Sequence, residues 1–330
     1  MKKLAKIILY GTAIFIAILI IAGIYMKTVL PNVGDPEELE IEGSTEQIAR
    51  GEYLANHVML CMDCHSDRNY SLFSGPPHPG TKGLGGDRFD RSMGLPGVFV
   101  SPNITPEGIG NWTDGELYRL ITTGVKKNGE PIFPVMPYQS YGKLDPEDIK
   151  AVIAYIRTLA PQKSNIPPRE IDFPVNFIIR TMPSKATPTT RPNKEDVIAY
   201  GEYLVTAAAC GECHTKFEKG KFVGPYLGGG RAFPSPNGNI VRSSNLTFHS
   251  TGLGNKSKED FVRQFKQYSP ELYTPTKVGE GEFQTIMPWT MYAGMDTTDL
   301  ASIYEYLRSL EPINNPIEKV TFAKINSNTE

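Results

Sequence analysis

The sequence predicts an all-α protein, built from two tandem copies of one helical unit behind an N-terminal transmembrane helix. Three observations lead to this fold class: a long apolar run at the N-terminus, an internal repeat at an offset of about 150 residues, and apolar residues spaced as on helix faces. At 330 residues the chain has room for about two ordinary domains. We therefore expect an anchor over residues 1–30, a spacer over 31–45, a first domain over 46–165, a proline-rich linker over 166–193, a second domain over 194–315 and a C-terminal tail over 316–330.

The apolar run covers residues 7–26, carries no charge and follows Lys2, Lys3 and Lys6. As a helix it would be about 30 Å long, which matches the hydrocarbon thickness of a bilayer. A cleaved signal peptide is the alternative, but its apolar core is usually only about 7–15 residues long. We therefore predict an anchor that is kept. The lysines before the run place the N-terminus in the cytoplasm and the remaining chain outside it.

The repeat is visible in matched segments along both units, so one helical unit has been used twice. The matched pairs are Gly51-Glu52-Tyr53-Leu54 with Gly201-Glu202-Tyr203-Leu204, Gly75-Pro76 with Gly224-Pro225, Leu84-Gly85-Gly86-Asp87-Arg88 with Leu227-Gly228-Gly229-Gly230-Arg231, Ser101-Pro102-Asn103-Ile104-Thr105 with Ser243-Ser244-Asn245-Leu246-Thr247, and Met136-Pro137 with Met287-Pro288. Helices are expected at about 46–65, 113–124 and 145–159, and again at about 194–214, 257–268 and 296–310. The formal net charge of −2 gives no reason to expect a nucleic-acid partner.

Each unit contains one C-x-x-C-H motif, the attachment sequence of a c-type haem. In a helix the two cysteines and the histidine share one face, so the thiols can form thioethers while the imidazole binds iron. A redox-active cysteine pair or a four-thiolate zinc site would leave both histidines unexplained. We therefore expect two covalently attached haem c groups, on Cys61, Cys64 and His65, and on Cys210, Cys213 and His214.

The second axial position of each iron is predicted to be filled by the methionine of the repeated Met-Pro element, Met136 or Met287. Core packing is the ordinary fate of a methionine, but both units carry this element between their second and third helices. Rival ligands are Met93 in the first unit and Met291 or Met295 in the second. The histidines outside the motifs, which are expected to be exposed polar residues, are His57, His78 and His249.

Other repeated residues suggest what surrounds each haem. The two Gly-Pro elements are expected to shape the histidine side, where a backbone carbonyl accepts the proton of the imidazole Nδ1. Arg88 and Arg231 follow glycines at matched positions and are candidates for pairing with haem propionates. Ordinary surface arginines are the alternative for both.

These motifs resemble those of the membrane-anchored, multihaem cytochrome c family, in particular the cytochrome subunits of bacterial membrane-bound alcohol, aldehyde and gluconate dehydrogenases. The resemblance covers about residues 46–312 and rests on Ser101-Pro102-Asn103-Ile104-Thr105-Pro106, Gly108-Ile109-Gly110-Asn111-Trp112-Thr113-Asp114, Met136-Pro137-Tyr138 with Tyr141, and Phe173-Pro174-Val175-Asn176. It implies two mostly helical cytochrome c domains, each wrapped around one haem.

The function expected from these features is electron transfer rather than enzymatic catalysis. Iron with two protein ligands has no open position for a substrate, so the chain would carry electrons from a dehydrogenase or quinol-oxidising complex to a terminal oxidase or soluble cytochrome. A dihaem peroxidase with one open haem is the alternative, and a docking subunit of a larger respiratory complex is a third hypothesis. We expect redox protein partners, membership of a larger complex, and a single-pass position in a bacterial cytoplasmic membrane with the haem domains on the periplasmic side.

Overall fold

A computed structural model describes residues 2–235, 238–279 and 281–323. Helix α1, Lys2–Thr28, contains no buried residue and is long and apolar enough to cross a membrane. The spacer after it runs along the first unit, where the Ile41 N–H donates to Asp114 Oδ2 at 3.2 Å. In the rest of the described chain the regular structure is mainly helical, and long loops join the helices.

The helices of the first unit follow the prediction in place but are shorter. They are α2 (Thr45–Tyr53, continued by a π-helical turn over Leu54–Val58), α3 (Cys61–Cys64), α4 (Pro106–Ile109), α5 (Asp114–Thr123), α6 (Tyr138–Tyr141) and α7 (Pro146–Arg157). Helix α5 begins with a full capping box between Thr113 and Glu116, and α7 has its proline at the first helical position.

The linker holds one short helix, α8 (Val175–Ile178), and a 3₁₀ turn, Ile179–Thr181. The second unit then repeats the first with α9 (Val197–Ala207), α10 (Cys210–His214), α11 (Lys258–Lys266), α12 (Trp289–Tyr292) and α13 (Thr297–Ser309).

The expectation of a purely helical protein is wrong in one respect, because both units also contain short strands. They are β1 (Arg88–Phe89), β2 (Gly97–Val100), β3 (Glu170–Ile171), β4 (Phe217–Glu218), β5 (Lys221–Phe222), β6 (Ala232–Pro234), β7 (Ile240–Arg242) and β8 (Val320–Thr321). They form antiparallel sheets in the orders β1-β2-β3, β4-β5 and β6-β7-β8. Each strand is two to four residues long, too short to show alternation in the sequence. The C-terminal tail contributes β8, and its residues 324–330 lie outside the described part of the chain.

The first helix of each unit was expected to run through the C-x-x-C-H motif, and the structure corrects this. Leu60 and Ala209, immediately before the first cysteine of each motif, adopt left-handed backbone conformations with φ of 57° and 49°. A left-handed residue ends a right-handed helix, so each motif starts a new short helix. The direction of the chain therefore changes just before each cysteine pair.

Within each unit the first and third helices cross at a glycine. A Cβ on Gly51 would lie 1.8 Å from the Ala151 carbonyl oxygen, and one on Gly201 would lie 2.0 Å from that of Ser302. The repeated glycine before Glu-Tyr-Leu therefore allows two backbones to touch. One hydrophobic core extends through both units, and its members include Leu54, Ile153, Leu204 and Leu300.

The two units are joined by a reciprocal exchange of tyrosines. Tyr53 of the first unit donates to Asp299 Oδ2 of the second at 2.8 Å, and Tyr203 of the second donates to Asp148 Oδ2 of the first at 2.7 Å. Each phenol also accepts the N–H of the residue that caps the facing helix: Asp296 at 3.1 Å and Asp145 at 3.2 Å. If the two units are exchanged, one set of these contacts therefore corresponds to the other.

The linker packs on the first unit instead of forming a free tether. Its strand β3 pairs with β2, Ile179 is buried, and the Thr187 and Thr189 N–H groups donate to the carbonyls of Gly142 and Lys143. The apolar side chains of the linker differ in burial: Ile179 is buried, while Phe173 and Phe177 are exposed.

Candidate haem sites

The two C-x-x-C-H motifs form matching helical turns. In α3, Cys61 and Cys64 lie one turn apart, and the His65 N–H donates to the Cys61 carbonyl at 2.9 Å. In α10 the same spacing holds for Cys210 and Cys213, and all four thiols are free. Desolvation raises the pKa of the Cys61 and Cys210 thiols to about 12. Each turn therefore presents two protonated thiols from one helical face.

Both motif histidines are held by a backbone carbonyl on the Nδ1 side. His65 Nδ1 lies 2.8 Å from the Pro102 oxygen, and His214 Nδ1 lies 2.7 Å from the Ser244 oxygen. A carbonyl can only accept, so Nδ1 carries the proton and Nε2 keeps the lone pair that binds a metal. Desolvation lowers the pKa of both imidazoles, against the opposing effect of the carbonyl, and keeps them neutral.

The carbonyls come from the repeated Ser-x-Asn-x-Thr segments and not from the Gly-Pro elements, which corrects the expectation above. In the second unit Asn245 Oδ1 accepts from the Thr247 N–H at 2.9 Å and from Thr247 Oγ1 at 2.8 Å, while its Nδ2 donates to the Ile313 carbonyl at 2.7 Å. Asn103 makes the same three bonds in the first unit. The repeated asparagine was a usable signal, because its side chain fixes the loop that supplies the carbonyl.

Met136 and Met287 occupy equivalent places. Each precedes a proline that begins a short helix, α6 or α12, and each is half-buried against the hydrophobic core. Among their rivals, Met295 is 1% exposed inside the core, and Met291 packs against that core with its carbonyl 3.0 Å from His57 Nδ1. Met93 lies in a 3₁₀ turn next to β1.

A buried tyrosine ties the methionine side of each site to the cysteine side. Tyr141 donates to the Met59 carbonyl at 2.7 Å, and Tyr292 donates to the Ala208 carbonyl at 3.0 Å. Both acceptors stand two residues before the first cysteine of a motif. Burial raises the pKa of both phenols, so they remain donors. Sequence reasoning overlooked this role, although the two tyrosines stand five residues after the repeated methionines.

The two repeated arginines are not equivalent in space. The Gly85 N–H donates to the His65 carbonyl at 3.1 Å, and the Gly229 N–H donates to the His214 carbonyl at 2.7 Å. Gly85 is therefore equivalent to Gly229, one position away from the sequence alignment. In this register Arg231 is equivalent to Asp87 and not to Arg88. Arg88 is 54% exposed and pairs with Asp90. Arg231 is half-buried over the rings of Phe217 and Phe233 and donates to the Glu212 carbonyl inside the motif.

In the first unit a different arginine contacts the motif. Arg68 Nη1 lies 2.9 Å from Asp63 Oδ2, between Cys61 and Cys64 in sequence, and 3.7 Å from Asp87. Burial raises the pKa of Asp63 to about 6, against the charge of Arg68. No repeated feature marked this pair, because Arg68 has no counterpart in the second unit's sequence.

The remaining histidines are not all exposed. His78 is exposed as predicted, but His57 and His249 are half-buried. His57 sits against Gly294 of the second unit, where a Cβ would come within 2.1 Å of its ring, and desolvation lowers its pKa. His249 Nδ1 lies 3.0 Å from Thr251 Oγ1.

The residues present fit covalently bound haem c. Each unit offers two thiols on one face, a neutral imidazole with a free Nε2 and a half-buried methionine on the core. Among the described residues, the Tyr138 hydroxyl and Asp63 Oδ1 of the first motif are buried without a hydrogen-bond partner. Among the described residues, no three His, Cys, Asp or Glu side chains are grouped so that they could hold a metal ion.

Comparisons with known proteins agree with this chemistry. No family model matches the chain. It is 31% identical over 66% of its length to the cytochrome c subunit of alcohol dehydrogenase (quinone) from Gluconobacter oxydans, and 30% identical over 80% to the gluconate 2-dehydrogenase cytochrome c subunit from Pantoea cypripedii. It is also 30% identical over 59% to a diheme cytochrome c-type protein from Cereibacter sphaeroides.

The aligned regions cover 46%, 59% and 64% of these three relatives, so the chain spans about half to two thirds of their lengths. A fructose dehydrogenase cytochrome subunit from Gluconobacter japonicus matches 80% of the chain at 29% identity. The paired C-x-x-C-H turns and these similarities therefore agree. The chain is a relative, at about 30% identity, of the cytochrome c subunits of bacterial dehydrogenases.

Proposed function

We propose that the protein is a dihaem c-type cytochrome that carries single electrons while tethered to a membrane. The observation that carries this proposal is the pair of equivalent sites, each with a C-x-x-C-H turn, a carbonyl-held imidazole and a half-buried Met-Pro methionine. Haem iron supplies the redox chemistry, because it takes up and releases one electron. The protein contributes ligands, burial and a fixed geometry.

The ligand assignment follows the two units. Cys61 and Cys64 would hold the first haem, with His65 and Met136 as axial ligands. Cys210 and Cys213 would hold the second, with His214 and Met287 on the iron. Arg231 would pair with a propionate of the second haem, since it already reaches the motif carbonyl of Glu212. The exposure of Arg88 and its bond to Asp90 give no support for the same role.

An electron-transfer subunit fits better than an enzyme. With both axial positions taken, neither site offers a place for substrate, and the relatives are named as cytochrome c subunits. The peroxidase alternative needs one open haem. It gains no support, because the two units carry the same Met-Pro element in the same place.

The reciprocal tyrosine bonds support a rigid pair of cytochrome c domains, with boundaries near residues 46–165 and 194–315. Tyr53 and Tyr203 reach buried carboxylates of the opposite unit, so one haem site cannot move freely relative to the other. A fixed separation favours electron transfer between the sites. The partners would be a dehydrogenase or quinol-oxidising complex as donor and a terminal oxidase or soluble cytochrome as acceptor, with this chain as a subunit of a larger complex.

The location follows from α1. A retained helix over Lys2–Thr28, preceded by positive charge, would place the haem domains on the periplasmic side of a bacterial cytoplasmic membrane. Attachment of haem c outside the cytoplasm agrees with that orientation.

The test is low-temperature EPR with optical spectra of the oxidised, detergent-purified protein beside Met136→Ala and Met287→Ala. We expect two low-spin haems in the wild type, and each variant should lose part of the weak long-wavelength band of methionine-ligated iron. A high-spin haem in the wild type would contradict the symmetric carrier, and peroxide turnover would then be measured.

A further inference from the structure

The segment after the first haem motif reaches the second unit at its Met-Pro element. Phe73 N–H donates to the Thr276 carbonyl at 2.8 Å, and the Val278 N–H donates to that of Ser71 at 2.9 Å. Gln284 Nε2 donates to the Leu72 carbonyl at 2.8 Å, and its Oε1 accepts the Ser74 N–H at 2.9 Å. Several hydrogen bonds thus hold residues 71–74 of the first unit against residues 276–284 of the second.

Ser74 is the innermost residue of this contact. It is 1% exposed, and its Oγ donates to the Met287 carbonyl at 2.6 Å and accepts the Trp289 N–H at 2.9 Å. Its backbone is left-handed, with φ of 69°, a conformation that costs free energy in a residue with a Cβ. A strained, buried serine that bonds both sides of a proline in another unit points to a positioning role.

The other side of Ser74 is tied to the first haem motif. Arg68 Nη2 donates to the Ser74 carbonyl at 3.0 Å, while Arg68 Nη1 lies 2.9 Å from Asp63 within the motif. A continuous set of bonds therefore runs from the first cysteine pair to Met287. In the first unit, the Met136 carbonyl accepts a local hydrogen bond from the Tyr138 N–H at 2.8 Å, and no described side chain of the second unit donates to this carbonyl.

We propose that Ser74 is a positioning residue for Met287, so that the first unit sets the strength of methionine ligation at the second haem. This rests on the proposed ligation by Met287. Loss of the hydroxyl would let the Met-Pro element move and weaken the iron–sulfur bond. A competing ligand such as imidazole would then bind the second haem more tightly, and the reduction potential of that haem would fall.

The experiment uses the full-length protein with both haems, and the EPR and redox signals of the second haem are identified as those that Met287→Ala abolishes. Ser74→Ala and Ser74→Gly should each tighten imidazole binding at that haem about tenfold, equivalent to about 1.4 kcal/mol. The first haem should keep its affinity. Ser71→Ala is the matched control, because its exposed hydroxyl bonds only within the same segment, to Asn69.

Ser74→Gly removes the hydroxyl and relieves the left-handed strain together, so it keeps the test valid if the alanine variant folds poorly. Unchanged imidazole affinity in both variants, with Met287→Ala abolishing methionine ligation, would overturn the positioning role and leave the proposed function intact. If Met287→Ala leaves both haems methionine-ligated, the ligand assignment itself is wrong and the positioning role falls with it.

A second, independent feature is an exposed apolar surface on the linker, formed by Phe173, Phe177 and Ile178. These side chains are 79%, 56% and 42% exposed. The neighbouring Arg180 Nη1 donates to the Leu30 carbonyl at 2.9 Å, and the 3₁₀ turn Ile179–Thr181 packs against α1. The surface therefore lies beside the end of the apolar helix that ends at Thr28.

We infer that this linker surface lies in the lipid bilayer, at the boundary between headgroups and acyl chains. The inference rests on the proposed anchoring by α1, since a spanning helix that ends at Thr28 brings the linker to that depth. Short apolar helices with aromatic residues bind at this boundary, while nearby cations face the headgroups. Lys27 and Arg180 supply the cations here.

The surface can be tested with single cysteines in the full-length protein, because the haem thioethers would consume the four native thiols. Phe177→Cys is compared with Phe222→Cys, whose native side chains are similarly exposed, at 56% and 49%. In proteoliposomes of purified protein and phospholipid, a membrane-impermeant maleimide should label position 177 about tenfold more slowly than position 222. Ile16→Cys, in the middle of α1, should resist labelling.

Equal labelling at positions 177 and 222, with position 16 protected, would overturn the linker inference and leave the anchor in place. Rapid labelling at position 16 would contradict the anchor and the linker inference together. Protection of position 177 in native membranes but not in proteoliposomes would show that a protein partner covers the surface, which also overturns binding to lipid.

Discussion

Single residues with uncommon backbone conformations decide how each haem motif is presented. Leu60 and Ala209 stand at matched positions, one residue before the first cysteine, and both are left-handed. Neither residue is a glycine, so residue type alone does not mark a break there and predicts a continuous helix. The tertiary structure enforces the turn: Tyr141 and Tyr292 bond the carbonyls of Met59 and Ala208 just before it.

Ala209→Gly should therefore stabilise the protein, by about 1 kcal/mol, because glycine adopts the left-handed conformation without a Cβ clash. The measurement is urea unfolding of the haem-loaded protein. The adjacent Ala208→Gly is the matched control: Ala208 has φ of −78°, and glycine there should destabilise by about 1 kcal/mol. Equal losses in both variants would contradict a strained Ala209.

At the scale of elements, the third helix of each unit has a buried carboxylate in its first turn, and residues from other elements donate hydrogen bonds to it. Asp148, in α7, is 1% exposed and accepts bonds from Arg50, Arg191 and Tyr203. Burial alone would raise its pKa, but the bond and charge of Arg50, the Tyr203 bond and the charge of Arg191 together lower it below 3.8. Helix periodicity predicted α7 but could not identify these partners.

Because the folded pKa of Asp148 is depressed, its contribution to stability is present above the ordinary pKa near 3.8 and is lost as the pH falls through the folded value. The unfolding free energy of the wild type should therefore fall more steeply below about pH 4 than that of Asp148→Asn. At pH 7 that variant should be about 3–5 kcal/mol less stable, because Arg50 loses its buried partner. Denaturant titrations at several pH values give both quantities. Parallel pH profiles would contradict the assignment.

At the scale of the whole molecule, the two units share one core and exchange tyrosines. Tyr53 and Tyr203 come from the same repeated tetrapeptide, yet each satisfies a carboxylate of the opposite unit. A repeat in sequence predicts two similar bodies, but not how they dock. Docking depends on which surfaces remain apolar or polar after each unit has folded.

The units should consequently unfold together. We expect one calorimetric transition for the wild type and two for the Tyr53→Phe/Tyr203→Phe double variant, with each single change costing about 1.5–3 kcal/mol for the lost hydrogen bond to a charged carboxylate. Tyr273→Phe is a suitable control, because its ring lies in the second unit against Tyr268. Two transitions already in the wild type would show that the shared interface does not couple the units.

The sequence alone determined the local chemistry of this protein. The cysteine and histidine spacing, the repeat, the helices around residues 113–124 and 145–159 and the apolar run all depend on residues close together in the chain, where helix geometry sets the distances. The tertiary structure decided which carbonyl holds each histidine, that Arg231 matches Asp87, and that Ser74 reaches Met287. These contacts join residues from about 15 to more than 200 positions apart, and they form only when packing closes the loops between them.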